Sequence, residues 1–242
     1  MAVPPSRRVA LRRRAAAVLL LLGAVAYTAW VLELVFATGI DPVRAYVSEL
    51  AAADQPLGGL FRATDLVAGL LVLAGALSAL ITLERRPWTT AGWAALALFG
   101  AATALDSRLP LSCAPTSDPA CAARETAGLV AATHTAHAIS SSLAMTGALA
   151  ALILLTFAAR RYGHWPRLAR LGPPLVLAEL AATLWTLASA AAFTAGRGTW
   201  ALGAGQRLQV LLVALYLALL AGCVARPAGH KEVRKPKPEA RP

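Results

Sequence analysis

The sequence predicts an all-α fold, a six-helix transmembrane bundle with N- and C-termini cytoplasmic. Three observations carry this. The 242-residue chain is 58% hydrophobic and 14% charged, and its apolar residues fall into six long stretches. Most of these stretches reach the roughly 20 residues that a helix needs to cross the hydrocarbon core. The basic residues then gather on alternate sides of them. Seventeen of the 23 Lys and Arg lie in four clusters: Arg7, Arg8, Arg12, Arg13 and Arg14; Arg85 and Arg86; Arg160, Arg161, Arg167 and Arg170; and Arg226, Lys231, Arg234, Lys235, Lys237 and Arg241. Basic residues beside span ends resist translocation, so this alternation is an orientation signal. A membrane strand would instead show segments of about ten residues with alternating polarity.

Span 1 is expected over about 15–37. Its basic leader, with Ser6-Arg7-Arg8, has some signal-peptide character, but the apolar stretch is longer than a signal core and reads as a retained span. A loop follows with Asp41, Arg44, Ser48, Glu49 and Asp54. Span 2 is placed at about 58–82 and span 3 at about 89–106. The next loop holds Pro110, Cys113, Pro115, Pro119 and Cys121. Span 4, about 124–158, exceeds what a bilayer requires, so its outer end should project or tilt. Span 5, about 172–194, should begin at Pro173-Pro174, since proline suits a helix start. A Gly-rich loop leads to span 6, about 204–224. Trp88, Tyr162 and Trp165 mark inner edges and Trp200 an outer edge, as an interfacial belt requires. Residues 1–14 form a basic cytoplasmic N-terminus, 15–225 one membrane domain, and 226–242, with Lys235-Pro-Lys-Pro-Glu239, a disordered basic cytoplasmic tail.

The net charge of +11 sits in these short flanking segments, where it meets anionic headgroups. No basic surface with interleaved aromatics points to nucleic acid. Cys113 and Cys121 share a loop on the non-cytoplasmic side, where disulfides persist, so they are expected to pair.

Acidic residues show the opposite bias. Glu33, Asp41, Glu49, Asp54, Asp65, Asp106, Asp118, Glu125 and Glu179 lie outside or within spans. Ionisable groups at membrane depth are costly and face a bundle interior or a wet cavity. Glu33, Ser48, Arg62, Asp65, Asp106, His134, His137 and Glu179 are therefore the pocket candidates. Arg62 and Asp65 are spaced i,i+3 and are expected to pair. Glu33 and Arg207 form either a second structural pair or two headgroup-level charges. Glu179, Thr183 and Thr186 make one stripe, either helix-to-helix hydrogen bonding or the floor of a cavity. Thr133, His134, His137, Ser140 and Ser141 share a face of span 4. His134 and His137, with Asp106 or Asp65, have the donor types for a zinc or other transition-metal site with an open position. The remaining two histidines, His164 and His230, fall on the cytoplasmic side.

Tyr46-Val-Ser-Glu-Leu50, Pro56-Leu-Gly-Gly-Leu-Phe61, Asp106 followed by Leu109-Pro-Leu-Ser-Cys113, and the stretch Gly128–Ser142 with its histidine pair resemble the bacterial six-span family called domain of unknown function 998. The resemblance covers about residues 15–225. It implies the six-helix architecture and directs attention to Ser48, Glu49, Pro56, Asp106, His134 and His137, without implying a reaction.

The leading functional expectation is non-enzymatic: an outward-facing polar pocket that binds or moves a small amphiphile or lipid. The protein would sit in a bacterial cytoplasmic membrane, with membrane lipids as partners. The alternatives are a membrane-embedded, metal-assisted hydrolase using Asp106, His134 and His137, and a structural or regulatory subunit. The sequence gives neither the oligomeric state nor the ligand.

Overall fold

A computed structural model describes residues 7–83 and 85–226. The first six residues and the tail beyond Arg226 lie outside the described residues, and with them most of the expected disordered segment. The described chain forms seven helices and no strand: α1 (Arg7–Tyr27), α2 (Gly58–Thr82), α3 (Pro87–Asp106), α4 (Pro119–Thr126), α5 (Ala132–Tyr162), α6 (Pro166–Thr194) and α7 (Leu202–Ala225). Two 3-10 segments, Ala29–Leu34 and Val47–Ala51, lie between α1 and α2. All helices except the short α4 are long and apolar enough to cross a membrane.

The six long helices pack as a ring in the order α1, α2, α3, α5, α6, α7, with α7 returning to α1. The ring closes at its basic end, where Arg13 donates to the carbonyl of Arg226 at 2.9 Å. Arg85 and Arg86 in the turn before α3, and Arg160, Arg161, Arg167 and Arg170 in the facing ends of α5 and α6, lie at that same end, and the Cys113–Cys121 loop lies at the other. The outward faces carry Val18, Leu22, Leu77, Ile81, Leu177 and Leu184, all exposed. In water such faces would be a liability; in lipid they are solvated by acyl chains.

Between helices the packing relies on small residues, because lipid offers no hydrophobic drive for helices to associate. Gly69 of α2 and Gly100 of α3 meet backbone to backbone. A Cβ on Gly69 would come within 2.5 Å of Ala104 N, and one on Gly100 within 2.5 Å of Leu73 N. Around this crossing Trp93, Leu96, Phe99, Leu152, Leu155, Tyr216 and Leu217 fill the core. The helices are antiparallel, so Asp65, one turn before Gly69, and Asp106, past Gly100, emerge at the same end. The crossing therefore helps to place the two carboxylates.

Three boundaries differ from the sequence expectation. The first span is not one α-helix: α1 begins at Arg7 and tightens to 3-10 after Tyr27, where the Thr28 hydroxyl donates to Val25 O at 2.8 Å. The fourth span begins at Ala132, not near 124. Asp118 caps a separate helix α4 by accepting from Ala120 N at 2.9 Å, and Gly128, at φ +70°, ends that helix. The left-handed conformation costs glycine little. The fifth span begins at Pro166, leaving Pro173 and Pro174 inside α6. Its start is fixed by Trp165, which is buried edge-on against Trp93 with ring centroids 6.1 Å apart. Interior prolines are tolerated where neighbouring helices accommodate the freed carbonyls.

Candidate functional site

The end of the bundle opposite the basic clusters is closed by two interlocked loops. Cys113 and Cys121 are joined by a disulfide, the expected pairing. The 3-10 segment Val47–Ala51 docks against this loop through Glu49, which is fully buried. Glu49 accepts from Thr116 N (3.0 Å), Thr116 Oγ1 (2.8 Å) and Ser117 Oγ (3.3 Å). Ala53 N donates to Leu111 O at 2.8 Å in the same seam. Burial pushes the Glu49 carboxyl above its ordinary value; the three donors pull it back in part, and Glu125 adds to the rise. Burial, with Glu125 and Glu49 nearby, likewise pushes the neighbouring Tyr46 phenol up to about 12.

Below the cap, Arg207 of α7 holds Glu33. Nε and Nη2 each donate to a carboxylate oxygen at 2.6 Å, with the two side chains only 8% and 3% exposed. Nη1 of the same guanidinium donates to Ala45 O (2.9 Å) and Gly203 O (3.2 Å). One cation thus ties the end of the first span, the following loop and the start of the last helix. Of the two sequence readings for this pair, the geometry is that of a structural ion pair. Gln206, one residue earlier, accepts from Val47 N at 2.7 Å and pins the 3-10 segment to α7.

Arg62 does not pair with Asp65. Its Nη1 donates instead to Ala51 O (2.7 Å) and Ala52 O (3.1 Å), the carbonyls where the 3-10 segment ends. Asp65 is left facing a cavity without a hydrogen-bond or ion-pair partner among the described residues, within electrostatic reach of Asp106 and His137.

Asp106 and α5 form the most connected polar group. Asp106 Oδ1 accepts from Ser140 Oγ, and Oδ2 from Ser141 Oγ at 3.3 Å. His137 Nδ1 lies 3.1 Å from both Asp106 Oδ1 and Leu109 O. Both neighbours are acceptors, so Nδ1 carries a proton, and Nε2 is left without a protein partner among the described residues. His134 has the other tautomer. Its Nδ1 accepts from Ser112 N at 3.1 Å, which puts the proton on Nε2, 3.5 Å from Glu125 Oε1. The two imidazoles therefore turn to different partners. Among the described residues no three His, Cys, Asp or Glu side chains gather as a metal-holding group.

These elements enclose a cavity of about 90 Å³. Ser48, Arg62, Asp65, Asp106 and His137 line it, together with Tyr27, Trp30, Ser141 and Gln206. Of the residues singled out from the sequence, Glu33, His134 and Glu179 do not. Trp30 was not among them, yet its indole Nε1 is buried and has no partner. Nor were Thr116 and Ser117, the donors to Glu49. Trp30 lies three residues from both Tyr27 and Glu33, the one signal that would have pointed to it.

The fold and site define a six-span integral membrane protein with a small polar cavity beneath a disulfide-bonded cap. The chain belongs to the family described as protein of unknown function DUF998, whose model matches residues 20–222. It matches no curated protein and no solved structure.

Proposed function

We propose that the cavity binds the polar end of a small amphiphile or lipid, and that the chain carries or presents this molecule in a bacterial cytoplasmic membrane. The supporting observation is that three residues lining one space carry a polar group without a protein partner among the described residues: Asp65, His137 at Nε2, and Trp30 at its buried Nε1. Buried polar groups are normally paired, and several unpaired ones on the residues around one space suit a partner from outside the chain. At about 90 Å³ the space suits a headgroup or a few waters, with any acyl chain left to the lipid between helices.

The basic end is assigned to the cytoplasm by its arginine clusters, which puts the cavity on the outer side. A reporter fused to the C-terminus tests this; signal from the non-cytoplasmic face would invert the assignment. The metal-assisted hydrolase has less support, because the Nδ1 lone pair of His134 is taken by Ser112 N, which leaves a protonated Nε2 turned toward Glu125 in place of a ligand.

The binding test is native mass spectrometry of lipids retained by purified protein. Asp65→Ala and His137→Ala should each lower or change the retained lipid while melting as wild type. Unchanged lipid in both variants would refute the reading.

A further inference from the structure

Glu179 lies midway along α6 and is fully buried, yet neither carboxylate oxygen has a hydrogen-bond partner. Gln209 of α7 and Thr183, one turn further on, sit beside it; Gln209 Nε2 donates to Thr183 Oγ1 at 2.9 Å, and the second amide hydrogen of Gln209 and the Thr183 hydroxyl are the donors nearest the carboxyl. Thr186 on the same stripe also has a buried hydroxyl without a partner.

Among the described residues no cation is at hand to balance a charge. Lys, Arg and His are absent from residues 15–32, 138–159, 171–196 and 208–225, the interior lengths of α1 with its 3-10 continuation, α5, α6 and α7. The helices packed on α6 are α5 and α7. Arg207, the nearest cation along α7, is committed to Glu33, Ala45 O and Gly203 O. The titratable group within electrostatic reach is the Tyr27 hydroxyl of α1. An ionised carboxylate so placed would be buried and without a counter-cation, with only two neutral donors beside it, and such a group neutralises instead.

We propose that Glu179 is an intramembrane proton-binding site, holding a proton in this arrangement of the bundle. The ligand is a proton and not a metal ion, because neither oxygen opens onto space that would admit one. Release requires water to reach the carboxyl, which means parting α6 from α7. Of the six spans α6 is the least buried, 22% of its apolar window against 61% for α7, so it gives up least by moving. Tyr27, which lines the cavity, is within electrostatic reach of Glu179 as well as of Asp65 and Asp106, so a charge change at Glu179 reaches the cavity.

The test is infrared spectroscopy at neutral pH on the full chain in lipid nanodiscs. The carbonyl band of a protonated carboxylic acid should be present and should lose intensity in Glu179→Gln, which should melt no lower than wild type. Wild-type protein is also treated with dicyclohexylcarbodiimide, which attacks protonated carboxyls in apolar surroundings, and its peptides are mapped by mass. An ordinary surface carboxyl is protonated to about one part in a thousand at neutral pH. Glu179 should therefore be modified far ahead of the loop carboxylates, a result that does not depend on the variant folding. An unchanged carboxylic-acid band in Glu179→Gln, or an unmodified Glu179 in wild type, would overturn the proposal.

Discussion

Arg207 and Glu33 lie 174 residues apart in sequence and meet in a two-pronged ion pair, with both contacts at 2.6 Å. The pair joins the two ends of the membrane domain inside a nearly dry interior. Removing one partner of a buried pair strands the other charge, at a cost of about 3–5 kcal/mol. Glu33→Leu should therefore lower thermal stability sharply in detergent. Adding Arg207→Leu should recover part of the loss but not all, because Arg207 also serves Ala45 O and Gly203 O. A double-mutant cycle read by thermal unfolding checks this; purely additive losses would mean the two side chains act independently.

The Gly69–Gly100 crossing makes a second prediction. Gly100→Val would force a Cβ to 2.5 Å from Leu73 N, against backbone that cannot rotate away. Overpacking of this kind costs about 1–3 kcal/mol or more. It should also spread α2 from α3 and with them Asp65 from Asp106. Gly222→Ala is the control, since nothing lies within 4 Å of its added methyl. Melting temperatures of the two variants should move in opposite directions or differ widely, the control matching or exceeding wild type.

Glu49 makes the cap sensitive to pH. Its folded carboxyl is raised above the ordinary 4.5, first by burial. The folded chain therefore binds this proton more tightly than the unfolded chain. Stability from this residue is greatest below the ordinary value and falls as pH climbs through the raised one. Melting temperature measured across that range, wild type against Glu49→Gln, should show a downward slope in wild type that the variant lacks. Equal slopes would remove Glu49 as the source.

Much of this architecture was legible in the sequence. Six apolar runs and alternating arginines gave the spans because lipid imposes length and polarity directly on a segment. Cys113 and Cys121 share one loop, so their pairing needed no knowledge of the fold. The Glu33–Arg207 pair was one of two readings, since only packing decides whether two charges at similar depth meet. Arg62 and Asp65 show the limit. Helical spacing favours the pair, but the carbonyls at Ala51 and Ala52 arrive from a loop whose course the sequence does not display. Glu49 was singled out by the resemblance, but its partners were hidden for the same reason: Thr116 and Ser117 come from the next loop. The start of span 4 was misplaced because the Ala-rich run into α5 has helical composition throughout, and only the left-handed Gly128 interrupts it.

The closing contact between Arg13 and the Arg226 carbonyl gives the bundle a topological freedom. Where the first and last helices are neighbours, the order of helices along the chain is one cut through a cycle. A chain reopened in the turn at Gly163, with its original ends spliced by a linker, would rebuild the same neighbours in a permuted order. Its assembly would then begin with α6 and end with α5.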